Sequence, residues 1–185
     1  AVVFFDFAGV PQVPRSAEEE RVFRGCLPHM GLLYSMFPTL ILHEVLPGNH
    51  GYMESGWCFC EYQTAMLGGQ LQEYSPGVHR ALGVDEEAWG SLSDLQAFVS
   101  NVEAEVQQKV FHYAADAEDV RRIISGYALK RILLRGIESG DMDTLVSTVA
   151  RLQEQGIAQS ILDQPVNAAL ETPLHVAVRR ANVRA

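Results

Sequence analysis

Apolar residues recur at two spacings along this chain, and the change from one to the other marks out its elements. Ala1-Val2-Val3-Phe4-Phe5 is a continuous apolar run that ends at Asp6-Phe7, the pattern of a strand covered on both faces. Pro11 and Pro14 exclude regular structure in the next segment, because each fixes the backbone and removes a donor. Ser16 ahead of Glu18, Glu19 and Glu20 reads as a helix start. The hydroxyl is an N-cap, Ser16-x-x-Glu19 fits a capping box, and the acids face the positive end of the dipole. Val22, Phe23, Cys26, Met30, Leu33 and Phe37 follow at helical spacing, with Pro28 and Gly31 predicting a kink or a split. Leu40, Ile41, Leu42 and Val45 place a second strand over Thr39 to Leu46, and Pro47-Gly48-Asn49-His50-Gly51 is a loop. A helix is predicted from about Gly56 to Leu67, stopped by Gly68-Gly69. Strand, helix, strand, loop, helix is the order of an α/β fold with a parallel sheet.

The second half reads as helical. Tyr74-Ser75-Pro76-Gly77 signals a turn, and Asp85-Glu86-Glu87 a first helical turn. Ser93-Asp94 opens a helix whose apolar positions, Leu95, Phe98, Val99, Val102 and Val106, keep a 3.6-residue period. Asp116 is read as the cap of a helix carrying Val120, Ile123, Ile124, Tyr127 and Leu129.

Charge sharpens this division. Residues 1–110 hold 14 acids and 5 bases and residues 111–185 hold 9 of each, so the net charge of −9 belongs to the first part. That acidity argues against nucleic acid as a partner, whose phosphates need Lys and Arg. No apolar run reaches the roughly 18 residues of a membrane span. The chain of 185 residues opens inside a strand pattern and closes inside a helical one, which reads as a piece of a longer protein. Three cysteines, Cys26, Cys58 and Cys60, are too few and odd in number for a disulfide framework. They point to structural thiols in a reducing, intracellular compartment, the cytoplasm first.

Thr172-Pro173-Leu174-His175-Val176-Ala177 is the T-P-L-H-x-A signature, and it resembles the ankyrin repeat. The resemblance makes Thr172, Pro173, Leu174, His175 and Ala177 structural: Thr caps the helix, Pro sits in its first turn, and His braces the turn before it. Leu133 to Val146, with a small-residue turn at Gly140 and an outer helix ending near Gly156, is similar to an earlier, irregular unit. Ankyrin arrays bind proteins and carry no chemistry of their own, so the resemblance implies a protein partner.

Tyr52-Met53-Glu54-Ser55-Gly56-Trp57-Cys58-Phe59-Cys60-Glu61 carries a second pattern, Y-x-x-S-x-W-C-x-x-E, and resembles the corresponding segment of TIR (Toll/interleukin-1 receptor) domains. The order of elements from Asp6 onward is similar too. Trp57 and Glu61 stand at i and i+4, on one helix face. In NAD-cleaving members the glutamate at this position contacts the nicotinamide ribose, and a carboxylate there stabilises the cation-like sugar formed as the N-glycosidic bond breaks. The resemblance therefore implies Glu61 as a catalytic residue, with Trp57, Asp6 and Ser55 as substrate-pocket candidates. Many members of the family keep this glutamate and act only as scaffolds, and the resemblance implies self-association of the TIR-like domain here.

The other chemistry-bearing residues form no recognised motif. The histidines have no metal-ligand spacing, and Gly68-Gly69 belongs to no phosphate loop. No metal and no resident cofactor are expected. The expected architecture is a TIR- or flavodoxin-like α/β domain over 1–110, a helical connector over 111–127 and a partial, all-α ankyrin region over 128–185. The leading functional expectation is protein–protein interaction or scaffolding in signalling. The alternatives are an NAD hydrolase, with NAD as substrate, and a structural subunit of a large assembly.

Overall fold

The computed structural model describes residues 11, 13–72 and 92–182. The expected first strand with Asp6, the turn at 74–77 and the acidic helix start at 85–87 lie outside the described residues. Within them the protein is mostly helical, with one small parallel sheet.

Helix α1 (Ala17–Met36) starts as its sequence dictates. The Ser16 hydroxyl accepts from the Glu19 amide, and the Glu19 carboxylate accepts from the Ser16 amide at 2.8 Å, a complete capping box. The kink expected at Pro28 and Gly31 does not split the helix, which runs unbroken over 20 residues. Gly31 serves packing instead: a Cβ there would sit 2.6 Å from the Tyr127 ring.

Strand β1 spans only Thr39–Leu40, not the expected Thr39 to Leu46. Its partner β2 (Leu71–Gln72) is equally short and parallel, with Thr39 opposite Leu71 and Leu40 opposite Gln72. A strand persists only where a neighbour satisfies its backbone groups. Among the described residues the ladder with β2 ends at Leu40, and beyond it Leu42 and Leu46 are exposed. Between the strands lie a 3-10 turn (Tyr52–Glu54) and α2 (Gly56–Leu67), whose ends match the expected ones. The parallel crossover of an α/β arrangement is therefore present, and among the described residues its sheet has two strands.

Among the described residues five more helices follow: α3 (Leu92–Gln107), α4 (Asp116–Ser139), α5 (Met142–Glu154), the short α6 (Ala158–Leu162) and α7 (Pro173–Asn182). α3 buries Leu95, Val99, Val102 and Val106, the face its period predicted. α4 lies at the centre and packs on α1, α2, α3, α5, α6 and α7. Val120, Ile124, Ala128, Leu129 and Ile132 bury it on several sides, as expected of a central helix rather than a surface one. One continuous core joins Phe59 and Leu67 of α2 to Leu152 of α5 and Ile161 of α6. The expected junction between 127 and 128 falls inside α4. Gly140, at φ 72°, ends this helix in the left-handed region, at the turn the sequence placed there.

Asp116 departs from its expected role. It is the first helical residue, the N-cap position belongs to Ala115, and the Asp116 side chain turns toward α1 and α2. None of the helices among the described residues is long and apolar enough to cross a membrane.

Candidate functional site

A cleft of about 210 Å³ lies between α1, α2 and the start of α4. α2 contributes Trp57, Cys60 and Glu61, which share one face because they stand at i, i+3 and i+4. α1 contributes Phe23 and Tyr34 among others, and Asp116 comes from α4. Val13, His112 and Tyr113 are exposed lining residues and form the mouth, whereas Trp57 and Glu61 are half-buried.

Each lining segment is held by local chemistry. Arg15 folds the Pro-rich segment onto α1: its Nε donates to the Pro11 carbonyl at 2.7 Å, and its guanidinium stacks 3.4 Å from the Phe23 ring centroid. Arg15 also pairs with Glu20 at 3.1 Å. The segment before α4 is tied to the start of α2, where the Val110 amide donates to the Glu54 carbonyl at 2.7 Å and the Gly56 amide to the Val110 carbonyl at 3.0 Å. These bonds bring His112, Tyr113 and Asp116 to the cleft.

The polar groups are paired. The Tyr52 hydroxyl donates to Glu61 Oε2 at 3.2 Å. Burial, and then the Glu61 charge, hold the Tyr52 hydroxyl far above the usual tyrosine range, so it remains a donor. Trp57 Nε1–H donates to Asp116 Oδ2 at 3.0 Å, and Arg24 Nη1 lies 3.5 Å from Asp116 Oδ1. Cys60 is buried, and burial pushes its thiol well above the ordinary value, which keeps it protonated and a poor nucleophile.

Trp57 and Glu61 thus meet in one cleft, while Ser55 does not line it. Ser55 sits at the N-cap of α2 and forms a parallel bridge with Val110. Asp6 lies outside the described residues. The sequence alone does not mark Asp116 or Tyr52 as site residues. An acid at a helix start already has a sufficient explanation in the dipole, and nothing in the sequence links it to a tryptophan 59 positions away. Among the described residues, no three His, Cys, Asp or Glu side chains gather where a metal ion would bind.

In the carboxy-terminal region the Thr172 amide donates to His175 Nδ1 at 3.2 Å, and Thr172 Oγ1 lies 2.8 Å from the same nitrogen. Pro173 and Val176 are buried, whereas Leu174 is 70% exposed. Comparison with family models, with curated proteins and with solved structures found no match to this chain.

Proposed function

We propose that the Glu61 cleft binds the nicotinamide–ribose end of a dinucleotide such as NAD and hydrolyses its N-glycosidic bond. The observation that carries this reading is the placement of Trp57 and Glu61 in one cleft open at its mouth, instead of in the sealed core. The size fits part of the ligand. About 210 Å³ falls below the roughly 300–1,000 Å³ of sites for whole drug-sized molecules, so the adenosine half would lie outside.

In this reaction the bond from the ribose carbon to the ring nitrogen breaks, and its electron pair leaves with nicotinamide, which becomes neutral. The sugar carbon becomes cation-like, and the Glu61 carboxylate beside it offsets that charge. A water then adds to the carbon and passes its proton to Glu61. Trp57 supplies a flat apolar face for the nicotinamide ring. Chromatography of reactions with NAD tests the proposal: free nicotinamide is expected, and Glu61→Gln, shown to be folded by circular dichroism, abolishes its release. No release by the unaltered protein at high concentration overturns it.

A second reading, protein interaction through the ankyrin-like helices, is supported by a different observation. Met142 and Val146 on α5, and Leu174 and Val178 on α7, are apolar pairs at i and i+4 that stand more than half exposed. Met142→Glu with Leu174→Glu is expected to remove a protein partner in a pull-down. Truncation at residue 128 is a poor test, because it cuts α4 and the core. Retention of the partner by the double variant overturns this reading.

A further inference from the structure

We infer that Asp116 is a positioning residue that sets the Trp57 indole as a wall of the cleft. The inference rests on the proposed use of that cleft for its functional meaning, and on its own geometry for the rest.

Three helices meet at this carboxylate. Trp57 belongs to α2, Arg24 to α1 and Asp116 to α4. Asp116 is 4% exposed, and its two oxygens are divided between the partners: Oδ2 accepts from the indole at 3.0 Å, and Oδ1 faces Arg24 at 3.5 Å. Arg24 is fixed in turn by Glu20 at 2.8 Å and by Asp119 at 3.5 Å. A buried carboxylate needs charged and hydrogen-bonding partners, and here it has one of each. A half-buried indole likewise needs an acceptor for its N–H. Once Asp116 supplies it, the ring has a single favoured orientation in place of several rotamers. The Trp57 ring can then receive a flat ligand without first being ordered, which removes part of the entropic cost of binding.

Asp116 touches no reacting atom on this account and acts through Trp57. Asparagine at 116 keeps an oxygen for the indole and loses the ion pair, whereas alanine loses both. The test uses the full chain with its other tryptophan, Trp89, replaced by phenylalanine, so that emission reports Trp57 alone. Without ligand, Asp116→Ala is expected to broaden the Trp57 fluorescence lifetimes into several components and to increase quenching by acrylamide at least twofold. Asp116→Asn is expected to stay near the parent. With nicotinamide mononucleotide as the probe, Asp116→Ala is expected to weaken binding at least tenfold, and Asp116→Asn by no more than about threefold. Should Asp116→Ala not fold, Asp116→Leu, close to aspartate in shape and with no acceptor for the indole, is read in the same way. Unchanged Trp57 lifetimes and quenching in the folded variant overturn the inference. Equal losses with alanine and asparagine also overturn it, since they would make Asp116 only a structural ion-pair member. Failure of the parent chain to bind the mononucleotide sinks the reading of the cleft, and the ligand-free fluorescence still decides the role of Asp116.

Discussion

The Tyr52 hydroxyl donates to Glu61 Oε2 across 3.2 Å, so one carboxylate oxygen of the candidate catalytic residue is held by the turn that precedes its own helix. A donor aimed at a carboxylate favours the charged form. Removing it with Tyr52→Phe is expected to lower kcat/KM for nicotinamide release by roughly threefold to tenfold, the worth of one hydrogen bond, while the chain stays folded. Single-turnover and steady-state rates at pH 7 check this, and an unchanged kcat/KM counts against the assigned role of the hydroxyl.

Gly68 lies where α2 ends and the chain turns into β2. A Cβ there would stand 2.3 Å from the Ser35 carbonyl oxygen and 2.5 Å from the Ser35 Cα, both backbone atoms of α1. Backbone cannot rotate away as a side chain can. Gly68→Ala is therefore expected to destabilise the fold by about 2–3 kcal/mol and to push α1 and α2 apart at the cleft. Gly25, exposed in the interior of α1 with nothing near its missing Cβ, is the matched control. Gly25→Ala is expected to stabilise by about 0.5–1 kcal/mol. Urea unfolding midpoints of the two variants check both signs.

Lys130 is buried in the central helix, and its Nζ donates to the Pro165 carbonyl at 2.6 Å. Burial pushes its pKa down to about 8 from an ordinary value of 10.5. The folded chain thus gives up this proton before the unfolded chain does, and the contribution to stability rises with pH between about 8 and 10.5. Cys60 and Tyr127, whose groups burial holds above their ordinary values of 9.0 and 10.0, act in the opposite direction above those values. Between about pH 8 and 9 the rise from Lys130 outweighs the fall that Cys60 begins to contribute as its ordinary value is approached. Lys130→Met is expected to abolish that rise. At pH 7 it removes a charge burial cost of up to about 3 kcal/mol and forfeits a hydrogen bond of about 1 kcal/mol, a net gain of about 1–2 kcal/mol. Unfolding curves at pH 7, 8 and 9 for both chains check it.

His175 Nδ1 accepts from the Thr172 amide, which satisfies a donor at the start of α7. His175→Ala is expected to cost about 0.5–1.5 kcal/mol, concentrated in α7. Faster amide hydrogen exchange over residues 173–182, with α4 unchanged, is the signature.

Local chemistry made the helices legible and left the sheet and the site contacts less so. Ser16 with Glu19, the run from Gly56 to Leu67, the spacing of Leu95 to Val106 and the turn at Gly140 each depend on neighbours within a few residues, and each appears where the sequence places it. β1 depends on what pairs with it, and the apolar run from Ile41 to Leu46 carries no record of its partner. The shared face of Trp57 and Glu61 followed from helical spacing. The Trp57–Asp116 bond joins α2 to α4 across 59 positions and left no periodic trace.

α4 has 24 residues, which at 1.5 Å each makes a rod about 36 Å long. Its first residue holds the tryptophan of the cleft, and its far end carries the turn into α5. The two halves of this chain therefore share a shaft instead of meeting at a hinge. They cannot be exchanged between proteins as separate cassettes, since a cut between 127 and 128 severs the rod and a cut ahead of residue 116 strips it from α1, α2 and α3, against which it packs. A protein that gripped α5 and α7, as proposed above, would take hold of the rod whose other end is bonded to Trp57.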